Sequence, residues 1–154
     1  MSRVAERLAE IGLEVPHVVA PLAAYVPAVR HAGLVMTAGQ LPMRDGALTC
    51  VGVVGQDISV EEAEQAAQQC ALNAIAAIAS VADLDEVAQV IKVTGFVASA
   101  PDFTAQPSVV NGASNLLLHA FGDVGRHARS AVGVAVLPLN APVEVEVIVI
   151  LRAK

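Results

Sequence analysis

Aromatic residues are almost missing from this chain: no Trp, one Tyr and three Phe in 154 residues. That excludes a base-stacking platform. Positive charge is also short, with nine Lys and Arg against fifteen Asp and Glu and a formal net charge of −6. No basic run occurs, which argues against a phosphate-tracking groove, and no nucleic-acid partner is expected. Cysteine is confined to Cys50 and Cys70. Neither has a paired spacing, which fits buried reduced thiols and a cytoplasmic location. No apolar run reaches the roughly 18 residues of a membrane span. The first residues carry Glu6, Glu10 and Glu14 and no signal-like apolar core, so no membrane partner is expected. Four histidines are present, His17, His31, His119 and His127. None has metal-ligand spacing, and each is read as a surface or turn residue, so no metal site is expected. There is no G-x-S-x-G elbow and no cysteine in a nucleophile's setting.

What remains is unusually apolar. Hydrophobic residues make up 55 % and charged ones 16 %, with a mean hydropathy of +0.62. At this length residues 1–154 are read as one domain, large enough to bury a core. The surplus predicts apolar surface that closes against other subunits.

The pattern along the chain is readable. Ser2 to Ile11 predicts a short helix with Ser2 as cap, Val4, Leu8 and Ile11 as its stripe and Gly12 as its end. An extended segment follows between Pro16 and Pro21. Tyr25–Val29 and Leu34–Ala38 read as strands about a turn at His31-Ala32-Gly33. Ala47–Val51 reads as a third, short strand. Ser59 and Glu62 form a capping box for a helix to Val81, whose alanines predict close packing on a sheet. Asn73 beside that stripe is read as a hydrogen-bonded structural residue. A turn at Asp83-Leu84-Asp85 leads to a strand over Val87–Ala98. A second helix is expected over Pro107–Phe121, closed by Gly122. The class is therefore α+β, a mixed sheet with two main helices on one face and a short N-terminal helix. The other face is left for oligomer contacts.

The stretch from Gly125 to Leu151 reads as a closing hairpin, because β-branched residues recur with period two on both arms. Arg129, Ala131, Gly133 and Ala135 share a face nearly without side chains. Glu144 and Glu146 stand opposite Val143, Val145, Val147 and Val149. Two readings stay open: an edge-strand arginine with solvated glutamates, or an anion pocket. Pairing of Glu144 with Gly133 would put Arg129 and Glu144 on one face, and a one-residue slip would separate them.

These residues carry a resemblance. Ala128-Arg129-Ser130, the small and apolar run to Leu137-Pro138, and Val143-Glu144-Val145-Glu146 resemble the closing motif of the Rid family. These are the reactive intermediate deaminases, also called YjgF-like proteins and, in older usage, endoribonuclease L-PSP or translation inhibitors. Tyr25-Val26-Pro27-Ala28-Val29 with Thr37-Ala38-Gly39-Gln40-Leu41-Pro42 is similar to the family's N-terminal hairpin. The Ala-rich helix with Asn73, the strand Val93–Ala98 and Asn111 also fit. The resemblance implies a chorismate-mutase-like fold and a homotrimer with ligand clefts between subunits. It implies hydrolysis of 2-imino or 2-enamino acids to 2-oxo acids and ammonia, with no cofactor and no metal. Arg129 would bind the substrate carboxylate and Glu144 would position the attacking water. Tyr25 from a neighbouring chain, Gly39, Asn111 and Ala131 would line the cleft. No His, Cys or metal cluster competes with Glu144 for the proton work. Ala131 stands where the family often has Cys, Gly133 where it has Glu, Val136 where it has a basic residue, and Ala38 where it has Ser. These changes make the pocket more apolar. Two alternatives accompany this reading: a non-catalytic trimer binding a small carboxylate, and, against the charge balance, a ribonuclease.

Overall fold

The structure is a computed structural model that describes residues 2–18 and 24–153. Pro21, one end of the expected extended segment, lies outside them.

Helix α1 (Arg3–Glu10) begins where the Ser2 side chain accepts from the Ala5 N–H. Val4 and Leu8 are buried, but Ile11 is 46 % exposed. The predicted stripe is thus one residue too long, because Ile11 has left helical geometry and acts as the C-cap. Strands β1 (Ala28–His31) and β2 (Leu34–Thr37) form the predicted hairpin, but β1 starts three residues later than Tyr25 and includes His31, which pairs with Leu34 instead of turning. The turn residues Ala32 and Gly33 both have positive φ, the twist a two-residue hairpin needs. Strands β3 (Met43–Arg44) and β4 (Ala47–Leu48) make a second small hairpin about Asp45-Gly46.

Helix α2 (Val60–Ala79) carries the full capping box of Ser59 and Glu62. Its alanine face packs on the sheet and also against α3 (Gln106–Phe121). The two helices come so close that a Cβ on Gly112 would meet the Glu64 backbone carbonyl. Strand β5 (Val87–Ala98) follows a 3-10 turn at Leu84–Glu86. Strands β6 (Ala128–Val134) and β7 (Val143–Leu151) close the chain.

The sheet order is β1-β2-β7-β5-β6. This corrects the expected closing hairpin: β6 and β7 do not pair. β5 lies between them, antiparallel to β7 and parallel to β6. The apolar alternation of both arms was read correctly, but alternation does not name a partner. Helix α3 provides the crossover that a parallel β5–β6 pair requires. The connection over residues 135–142 then carries the chain past the end of β5.

Both helices cover one face. Val143, Val145, Val147, Val149 and Leu151 are buried there with Val35, Val90, Val93 and Val97. Arg129, paired with Val93, belongs to this helix-covered side. The other face carries Glu144, Glu146, Ile148 and Ile150 of β7, with Leu34, Met36, Val29, Phe96 and Val132 from its neighbours. Neither α2 nor α3 packs on it, and apart from Gly39 against Glu144 much of its apolar surface is exposed.

Candidate functional site

Arg129 stands near the start of edge strand β6, half-buried beside α3. Its Nη1 donates to Asn111 Oδ1 at 2.8 Å and to Ser114 Oγ at 3.2 Å, and its Nη2 donates to the Pro107 carbonyl at 3.4 Å. Asn111 and Ser114 are one turn apart on α3, so both face the same guanidinium. Three of the five guanidinium N–H groups are thereby used. The Nε–H and one Nη2–H have no partner among the described residues. They form the side-on fork that a carboxylate takes in a bidentate pair. No Asp or Glu is paired with Arg129 among the described residues. Its charge is held by neutral acceptors alone.

The space beside Arg129 is narrower than the small side chains suggest. Ala131 packs against the core and pairs with Gly95, over which Val110 sits so closely that a Cβ would collide. The Gln106 amide lies over Gly133, held by Ser99 Oγ and the Phe103 carbonyl. The open approach to Arg129 is therefore along its outer fork.

Glu144 is elsewhere. It pairs with Phe96, three positions along β5 from Val93, the partner of Arg129. Directly paired residues share a face and successive residues alternate. Within one chain, Arg129 and Glu144 therefore lie on opposite faces, with β5 between their strands. The arrangement with Glu144 opposite Gly133 does not occur.

What Glu144 does meet is Gly39. After β2 the ladder is interrupted: Thr37 Oγ1 accepts from the Val147 N–H, and pairing resumes between Gln40 and Val145. The slack brings Gly39 under the Glu144 carboxylate, where any Cβ would clash with it. Burial, reinforced by the charge of Glu146, pushes the Glu144 carboxyl above its ordinary pKa.

Tyr25 and Gly39 also border a cleft of ≈ 700 Å³ shared with Leu41, Met43, Arg44 and Asn73. Tyr25 is 60 % exposed. Behind the cleft Asn73 donates to the Leu41 and Met43 carbonyls and accepts from Gln69, whose own carbonyl oxygen accepts from Arg44. Asn73 thus has the structural role expected of it, fastening the β3–β4 hairpin to α2.

The chain brings Arg129 to Asn111 and Glu144 to Gly39; Tyr25 shares a cleft with Gly39, and Ala131 lies on the Arg129 face but packs against the core. The chain also adds two residues that sequence reasoning missed. His127 Nδ1 is 2.6 Å from the Gly125 carbonyl, and its Nε2 is 2.9 Å from Ser114 Oγ. His127 is therefore no plain turn histidine. No signal in the sequence marked it: His127 precedes β6, so strand parity with Arg129 does not assign its side. Among the described residues no cluster of His, Cys, Asp or Glu could hold a metal. Cys70 is wholly buried, and burial and then the Glu144 charge raise its thiol well above the ordinary range. No helix among the described residues is long and apolar enough to cross a membrane.

The α+β fold, a mixed sheet with its helices on one face, is that of a YjgF/chorismate mutase-like protein. That family's profile, which carries a provisional endoribonuclease label, matches residues 5–151, and the chain belongs to it. Protein TCP17 of Trypanosoma cruzi is 44 % identical over 149 residues, covering 96 % of this chain and 93 % of TCP17. The crystal structure of Atu1372 from Agrobacterium tumefaciens, a protein of unknown function, is 43 % identical with a TM-score of 0.89. The match covers 97 % of this chain and 92 % of that one. A Shewanella oneidensis protein provisionally labelled an endoribonuclease is 34 % identical with a TM-score of 0.91, covering 96 % and 99 % of the two chains.

Proposed function

We propose that this protein hydrolyses 2-imino or 2-enamino acids to 2-oxo acids and ammonia, in clefts between the subunits of a homotrimer. The observation that carries this reading is the half-buried guanidinium of Arg129. It is oriented by α3, has no carboxylate partner among the described residues, and keeps one fork open. A buried or half-buried charge needs a counter-charge, and a ligand carboxylate supplies it.

The separation of Arg129 and Glu144 supports a site made from two chains. One chain offers the arginine, and its neighbour offers Glu144 with Gly39 and Tyr25. Arg129 holds the substrate carboxylate, and Glu144 from across the cleft positions the attacking water. The chemistry uses no cofactor. The same separation favours a second reading, in which the Arg129 half-site alone binds a carboxylate without turnover. A ribonuclease is disfavoured by the net charge of −6 and by four aromatic residues in all.

The test is ammonia release from freshly generated 2-iminobutyrate, with calorimetry of 2-oxobutyrate binding alongside. A charge-assisted bidentate pair is typically worth about 1.5–3 kcal/mol, so Arg129→Ala should weaken 2-oxobutyrate binding about tenfold or more. Unchanged affinity would make the arginine structural. Binding without ammonia release by the wild type would leave the binding module as the function.

A further inference from the structure

The geometry points to Ser114 and His127 as a proton relay serving the Arg129 site. This inference rests on the hydrolytic reading above and gives it a base on Arg129's own side of the sheet.

The hydrogen bonds fix the direction of the relay. A backbone carbonyl only accepts, so the contact with Gly125 places the imidazole proton on Nδ1. In the neutral ring Nε2 is then an acceptor, and at 2.9 Å it takes the Ser114 O–H. Ser114 Oγ keeps lone pairs, one of which accepts from Arg129 Nη1. Arg129, Ser114 and His127 thus form a chain whose last member can receive a proton. Serine, base and orienting carbonyl are arranged as in an activated hydroxyl. Both Ser114 and His127 are half-buried rather than sealed. The other described histidines offer nothing comparable here. His119 Nε2 is bonded to the Arg7 carbonyl, and His31 ends β1 at the far edge of the sheet.

The chemistry balances. Water adds to the carbon of a protonated imine whose carboxylate lies on the Arg129 fork. The water oxygen forms the new C–O bond, and the C=N π pair moves to nitrogen. The water proton passes to Ser114 Oγ as the Ser114 hydrogen passes to His127 Nε2, leaving an imidazolium and a carbinolamine. On collapse the relay returns its proton to the amine nitrogen. The C–N pair leaves with ammonia, the hydroxyl oxygen closes to C=O, and the hydroxyl proton goes to the departing ammonia. Glu144 from across the cleft orients the water, and the relay takes its proton.

The experiment compares wild type, Ser114→Ala, His127→Gln and the double variant for ammonia release from 2-iminobutyrate. A positioned general base contributes 10²–10⁴-fold, so kcat should fall by about 10² or more in each single variant. Members of one relay act as a unit, so the double variant should be no slower than about the worse single one. Calorimetric affinity of His127→Gln for 2-oxobutyrate should stay within about threefold, well under one factor of ten in Kd, since His127 makes no contact with Arg129. His127→Ala should recover turnover when imidazole is added, which a packing role would not produce. Turnover in His127→Gln equal to wild type would overturn the relay and leave the deaminase reading standing. So would a loss of turnover matched by an equal loss of 2-oxobutyrate affinity without imidazole rescue, since the pair would then only shape Arg129. No ammonia release by wild type would overturn the deaminase reading and the relay with it. Should His127→Gln fail to fold, Ser114→Ala and the imidazole rescue decide the matter.

Discussion

Gly39 is glycine because the place of its side chain is taken by the carboxylate of Glu144. That contact half-buries an acid beside a second acid, and it has a consequence in pH. Burial, then Glu146, raises the Glu144 pKa in the folded chain. The folded state therefore binds this proton more tightly than the unfolded one. The contribution to stability is complete below the ordinary carboxylate pKa and is lost as pH rises through the raised one. Glu144→Gln carries no such titration. Melting curves between about pH 4 and 7 should show the variant gaining on wild type as pH rises. A gap that does not change with pH would remove Glu144 as the source. The same variant tests the chemistry: turnover should fall by up to about 10² if Glu144 is needed to position water on the substrate, and normal turnover would remove it. Among single residues, Arg129, Glu144, Gly39 and Asn111 were legible in the sequence because a recognisable motif carries them. Ser114 and His127 were not. Each is ordinary by type, and only the docking of α3 on β6 brings them together.

Secondary elements were the most legible part of the chain. The Ser59 and Glu62 box, the limits of β5 and the Ala32-Gly33 turn follow from local chemistry, and local chemistry is what a sequence displays. The Asp45-Gly46 hairpin carried the same kind of signal and was passed over, its strands being two residues each. What stayed hidden was partnership. The period of two assigned the residues within β6 and β7 to their faces correctly, while Ala135 and Val136, read as the continuation of the first arm, lie beyond the end of β6. The period could not reveal that β5, made some thirty residues before β6, would insert between the two strands. As direct partners, β6 and β7 could bring Arg129 and Glu144 to one face; with β5 between them, Arg129 pairs with Val93 and Glu144 with Phe96, an odd offset that turns the two to opposite faces.

At the scale of the whole molecule the uncovered sheet face is the dominant feature. Val29, Leu34, Met36, Val132 and Ile150 are all exposed on it. An apolar face of this kind usually closes against another copy. A homotrimer is the expected state, and sedimentation at micromolar concentration checks it. A monomer there would leave the two half-sites apart and sink the inter-subunit cleft. The position of β7 carries a further consequence, for the order in which the molecule can be made. β7 alone joins β2 to β5. Until it is present, the sheet exists as two unconnected ribbons, β1–β2 and β5–β6, each with an apolar side and an open edge. On a ribosome the core therefore waits for β7, and the apolar sides of the two earlier ribbons stay exposed until it emerges. A chain ended at Pro142 should show no slowly exchanging amides in β2 or β5, and protected amides there would mean that the ribbons hold without their central strand.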